Sequence, residues 1–85
     1  MKISLEFFGP IRDRVGTAPD ILELDSAPAT LEALIEMVAC QLSAEDALRD
    51  PHLRIAINDQ LCPGNETISL KEGDRIAVLS PFSGG

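Results

Sequence analysis

Polar and apolar residues alternate along Lys2-Ile3-Ser4-Leu5-Glu6-Phe7, the period of a strand with one face on a core. Ile3, Leu5 and Phe7 share the inward face, and Phe8 falls on the outward one. Gly9-Pro10 breaks the strand. Ile11-Arg12-Asp13-Arg14-Val15 then fits one or two helical turns stopped by Gly16. A second short strand is predicted at Ile21-Leu22-Glu23-Leu24, turned back on the first through the loop at Thr17–Pro19.

The clearest helix follows. Leu31, Leu34, Ile35, Val38 and Leu42 recur at helical spacing and form one apolar stripe. Thr30 is the predicted N-cap, and Glu32 and Glu36 occupy the early turns, where the helix dipole favours negative charge. Cys40 falls nearly opposite the stripe and is expected at the periphery. Ser43-Ala44-Glu45-Asp46 reads as the start of a second short helix that Pro51 ends.

Alternation returns at Leu53, Ile55 and Ile57, a third strand, with a turn signal at Asn58-Asp59. Gln60-Leu61-Cys62 is predicted as a short return strand cut off by Pro63-Gly64-Asn65. Ile68 and Leu70 are apolar anchors ahead of a Lys71-Glu72-Gly73-Asp74 turn. The last strand is Arg75-Ile76-Ala77-Val78-Leu79, with Ile76 and Val78 inward and Ala77 and Leu79 outward. The fold class is therefore α+β: a mixed sheet packed on one main helix, a ββαββ order with the final strand running into the tail. Residues 1–80 make the domain and 81–85 a tail.

Composition narrows the function classes. A chain of 85 residues has room for one core and little for a deep enclosed pocket. A net charge of −7, with no Trp or Tyr and three Phe, argues against nucleic acid and anionic membranes and favours a basic partner surface. No apolar run approaches the roughly 20 residues of a membrane span, and the Met1-Lys2-Ile3 start lacks a signal-peptide layout. Two cysteines are no disulfide framework, so reduced thiols and a cytoplasmic location are expected. Cys40 and Cys62 are too far apart for a C-x-x-C pair, and His52 has no ligand at metal spacing, so neither a metal nor a resident cofactor is expected. A four-cysteine iron–sulfur cluster is excluded. No Ser/His/Asp set and no phosphate-cradling glycine loop is present.

What remains is the ending. Pro81-Phe82-Ser83-Gly84-Gly85 follows an apolar strand directly. Gly-Gly has no side chain to pack and makes a slim end that a narrow channel can admit. On this reading the α-carboxylate of Gly85 is the chemical end and residues 1–80 are its handle.

Three stretches carry a family resemblance: Phe7-Phe8-Gly9-Pro10-Ile11-Arg12-Asp13-Arg14-Val15-Gly16; Thr30-Leu31-Glu32-Ala33-Leu34; and the half made of Ala56-Ile57-Asn58-Asp59-Gln60, Leu70-Lys71-Glu72-Gly73-Asp74-Arg75-Ile76-Ala77 and Pro81-Phe82-Ser83-Gly84-Gly85. In this order they resemble the β-grasp, ubiquitin-like sulfur carriers, most closely the MoaD family, the small subunit of molybdopterin synthase. Ser80 departs from the Pro-Pro pair usual there and leaves Pro81 alone to stiffen the exit. The resemblance implies that an E1-like adenylyltransferase (MoeB-like) uses ATP to adenylate Gly85 and that a sulfur donor converts the adenylate to a thiocarboxylate. The tail then enters the large (MoaE-like) synthase subunit and supplies sulfur for the dithiolene of molybdopterin, starting from cyclic pyranopterin monophosphate. It implies a non-catalytic sulfur-donor subunit, with catalytic side chains on the large subunit. Carriers for thiamine thiazole or cysteine formation, and ubiquitin-like protein modifiers, remain open alternatives.

In a β-grasp the first and last strands are neighbours, and parity then puts Phe8 and Leu79 on the face away from the helix, where Leu61 can join them. An apolar cluster beside the tail exit is the expected partner surface, unless loops or the Ser43–Asp50 segment cover it.

Overall fold

The computed structural model describes residues 1–16, 19–62 and 67–80. Among these, β1 (Lys2–Phe8), β2 (Ile21–Glu23), β3 (Arg54–Ile57), β4 (Gln60–Cys62) and β5 (Arg75–Leu79) form one mixed sheet in the order β2-β1-β5-β3-β4. The two longest strands, β1 and β5, lie side by side and parallel; every other pairing is antiparallel. A parallel pair needs a crossover between its members, and the intervening chain supplies α1 (Ile11–Val15), α2 (Leu31–Leu42) and α3 (Glu45–Leu48). This is the β-grasp arrangement, a mixed sheet on one main helix.

The predicted stripe of α2 supplies one side of the core. Leu31, Leu34 and Val38 are buried against Ile3, Leu5, Ile55, Ile76 and Val78 of the sheet, with Ile35 and Leu42 partly covered at the edges. Leu34 is almost fully enclosed, a burial worth on the order of 2 kcal/mol. Thr30 caps the helix as expected: its extended backbone aims Oγ1 at the Ala33 N–H, which donates to it at 3.1 Å. Cys40 is exposed.

The end of α2 corrects the sequence reading. Ser43 does not open the next helix. It adopts φ 52° and closes α2 as its C-cap, donating its N–H toward the carbonyls of Ala39 and Cys40. A residue held in the left-handed region cannot also take the extended conformation of an N-cap, so α3 starts behind Ala44 with no side-chain cap. Ala44, Ala47 and Leu48 nevertheless join the core; apolar burial holds this turn in place of capping.

Two connections set the register near the exit. Asn58 and Asp59 both have positive φ, 52° and 70°, as a two-residue type I′ hairpin turn requires. Asn58 then bridges outward. Its Oδ1 accepts from the Arg75 N–H at 2.9 Å, and its Nδ2 donates to Asp74 Oδ1 at 3.1 Å. The β3–β4 hairpin is thereby pinned to the start of β5. Strand β2 pairs back on β1 as expected, with α1 lying in the connection; residues 17–18, in the loop predicted at Thr17–Pro19, lie outside the described residues, as does the Pro63–Asn65 break.

Candidate functional site

Side-chain alternation gives the sheet two faces, and α2 covers only one. On the other, Phe8, Ile21 and Leu61 are the exposed large hydrophobics among the described residues, at 45%, 61% and 66% of full accessibility. Cross-strand register orders this face. One row runs Glu6, Ala77, Ala56, Leu61 across β1, β5, β3 and β4; the next runs Phe8, Leu79, Arg54 across β1, β5 and β3. Ile21 stands opposite Ser4, in the row that includes Arg75.

The three residues expected to form a partner surface therefore share a face. Phe8 and Leu79 are direct partners, while Leu61 lies one row away on the edge strand. The centre between them is low: Ala77 is half-buried, and Ala56 is buried without joining the main core cluster. Small residues flanked by Phe8, Leu79 and Leu61 make a shallow apolar patch, with Glu6, Arg54 and Arg75 supplying charge around it. Arg75 is ion-paired with Asp59 beside the hairpin turn. The alternative that the Ser43–Asp50 segment covers the patch fails: α3 packs against α1 and α2.

Sequence reasoning missed Ile21. The signal was present, since Leu22 and Leu24 face inward and parity sends Ile21 out, but a three-residue strand offers too short an alternation to stand out.

It also missed what Ser80 does. The Ser80 N–H donates to the Phe8 carbonyl at 3.0 Å, carrying the β1–β5 ladder one step past its last pair. Ser80 Oγ accepts from the Ile11 N–H at 2.8 Å. That donor opens α1, whose N-cap, Pro10, makes no side-chain cap bond. Across from it Gly9 has φ 84°, and a Cβ there would stand 2.3 Å from the Ser80 carbonyl oxygen. Only glycine allows this approach.

Pro81, Phe82, Ser83, Gly84 and Gly85 lie outside the described residues. Elsewhere, a groove of about 650 Å³ lined by Leu31, Ile35, Glu36, Leu48, Leu53 and Cys62 lies on the helix side of the sheet, and neither Phe8, Leu79 nor Ser80 borders it. Asp50 accepts from the His52 N–H at 2.8 Å, contacts the His52 ring, and pairs with Arg14 at 3.4 Å. The bond from the His52 N–H, with smaller help from the imidazole and the guanidinium, holds its carboxyl below the usual range. This cluster ties α1 to the segment after α3.

Comparison with known proteins adds the family and the shared fold. The ThiS family model matches residues 5–85. The chain belongs to the ThiS family. Two curated relatives are each named molybdopterin synthase sulfur carrier subunit. The one from Aedes aegypti is 33% identical, aligned over 100% of this chain and 90% of its own. The one from Chlamydomonas reinhardtii is 25% identical over 100% of both chains. Among solved structures, the crystal structure of SAMP1 from Haloferax volcanii superposes on this ThiS-family chain with a TM-score of 0.67 at 19% identity over 100% of both chains, which shows the shared fold. A chain of the complex of subunits 1 and 2 of molybdopterin-converting factor from Helicobacter pylori 26695 gives a TM-score of 0.56 at 26% identity, again over 100% of both. No helix among the described residues is long and apolar enough to cross a membrane.

Proposed function

We propose that this ThiS-family chain is a sulfur carrier of the molybdopterin synthase small-subunit type, with the α-carboxylate of Gly85 as the group that is activated and charged. The observation that carries the reading is the apolar face left uncovered among the described residues, whose last ladder pair, Phe8 and Leu79, stands immediately before Ser80 and, in sequence, the Pro81–Gly85 stretch. A partner seated on that face meets Ser80, the residue that precedes Pro81–Gly85 in sequence, at its edge. The names of the two curated relatives, and the two-subunit complex of the Helicobacter pylori neighbour, support a large synthase subunit as one such partner.

The chemistry follows from the weakness of a free carboxylate as an acyl electrophile. A Gly85 carboxylate oxygen attacks the α-phosphorus of ATP on an E1-like adenylyltransferase, and pyrophosphate leaves. A sulfur donor at the oxidation level of sulfide then attacks the carbonyl carbon, and AMP leaves with the electrons of the C–O bond. The product is a thiocarboxylate, whose sulfur is a competent nucleophile at neutral pH. In the large subunit it supplies sulfur for the dithiolene formed from cyclic pyranopterin monophosphate. Gly84 and Gly85, lacking Cβ atoms, let both active sites close around the acyl group. The carrier contributes positioning, and the chemistry belongs to its partners.

The test is the intact mass after incubation with an E1-like enzyme, ATP and a sulfide source. The expected result is the gain from replacing one oxygen by sulfur, absent from a Gly85 deletion whose melting temperature is unchanged. No gain, with the enzyme active on its own carrier, sinks the reading. Sulfur transfer to a reconstituted large subunit then separates molybdopterin synthesis from thiamine thiazole or cysteine formation.

A further inference from the structure

The hydrogen bonds at the end of β5 do more than extend a ladder. A residue that ended the sheet passively would make its backbone bond and turn its side chain to water. Ser80 is instead held from three sides. Its N–H is bound to Phe8, its hydroxyl accepts from Ile11, and its carbonyl lies against the Cα of Gly9, where no side chain fits. Two bonds from one residue restrict both its φ and its χ1, and the Gly9 contact limits where its carbonyl can point. That carbonyl carbon is the atom to which Pro81 is joined. The other end of the clasp is equally anchored, because Ile11, the donor, is buried in the core with 1% of its surface accessible.

We infer that Ser80 is a positioning residue: clasped to the β1–α1 corner, it fixes the point from which the chain continues to Gly85, so that a partner docked on the Phe8–Leu79 face receives the Gly85 carboxylate at its reactive centre. The inference rests on the sulfur-carrier reading and adds a residue to it. Docking free energy comes from the sheet face, whereas the clasp governs where the carboxylate lies once docking is complete. Its loss therefore acts on turnover and not on affinity, as expected for an orientation effect.

The experiment compares wild type, Ser80→Ala and Ser80→Thr as substrates of an E1-like adenylyltransferase, following pyrophosphate release, alongside amide hydrogen exchange of Ile11. Ser80→Ala keeps the backbone bond to Phe8 and loses the hydroxyl; Ser80→Thr keeps both. The expected result for Ser80→Ala is a fall in kcat of about tenfold at unchanged KM, well inside the ~10²-fold that a 1 Å misplacement can cost. Ile11 exchange should also be faster, with both effects reversed in Ser80→Thr. Wild-type kcat and KM in Ser80→Ala overturn the clasp and leave the carrier reading standing. A raised KM at unchanged kcat also overturns it, by assigning Ser80 to docking. If wild type itself is not adenylated by an enzyme active on its own carrier, the carrier reading falls, and the inference with it.

Discussion

Phe8 and Leu79 are direct partners in the parallel β1–β5 ladder, the last pair before the chain leaves the sheet. Both point away from α2, and Phe8 keeps 45% of its surface exposed. The pair formed with β5, the middle strand of the sheet, thus presents apolar surface away from α2, next to Ser80. On the proposed reading, this half-exposed aromatic surface serves a partner interface more than the fold.

Replacing Phe8 with Asp tests that division. Binding to the large synthase subunit should weaken by about 2 kcal/mol, roughly thirtyfold in Kd, as for an anchor residue at an interface. Stability should fall by no more than about 1 kcal/mol, as at other exposed positions. Titration calorimetry and thermal melts read the two separately. A large drop in melting temperature with unchanged affinity would make Phe8 a core residue.

Gly9 and Gly73 offer a matched comparison. Both have positive φ, 84° and 86°, but an added Cβ at Gly73 meets nothing within 4 Å, while at Gly9 it meets the Ser80 carbonyl oxygen at 2.3 Å. Gly73→Ala should cost about 1 kcal/mol, the ordinary penalty for the left-handed region. Gly9→Ala should cost about 2–3 kcal/mol, because backbone must also move. Urea unfolding of the two variants checks the difference; equal costs would show that the β1–α1 corner yields freely.

Thr30 is the one side-chain cap on α2, and α2 carries the core stripe. Thr30→Ala removes the acceptor for the Ala33 N–H and should destabilise the domain by about 1 kcal/mol, with Thr30→Asp restoring most of it. Denaturant midpoints at constant slope are the measurement. Full stability in Thr30→Ala would mean water replaces the cap without cost.

Asp50 gives the acid limb a marker. Its carboxyl is held below the usual range chiefly by the His52 N–H, with help from the imidazole and Arg14. A depressed folded-state pKa contributes stability that is fully present above the unfolded value, about 3.9, and is lost as pH falls through the folded value. The stability difference between wild type and Asp50→Asn should therefore shrink as pH falls below about 4. Melting temperatures of both proteins across that window test the sign; a difference that grows on acidification contradicts it.

Much of this protein is written locally. The inward residues Ile3, Leu5, Ile76 and Val78, the α2 stripe, the Thr30 cap, the Asn58-Asp59 turn and the outward parity of Phe8, Leu79 and Leu61 all follow from spacing, because a side chain's face depends only on the backbone period beneath it. Spacing could not decide Ser43, where the end of α2 and the start of α3 compete for one backbone conformation and only the packing of Ala44, Ala47 and Leu48 selects the winner. Nor could it join Phe8 to Leu79 or place Ser80 between Phe8 and Ile11, contacts that span some 70 positions of sequence. Those depend on which strands pair, and pairing is set when the whole apolar surface is buried at once. The chemistry proposed at Gly85 rests on the final residues and the family resemblance; the sheet face proposed to present it, and the Ser80 clasp beside that face, exist only in the folded chain.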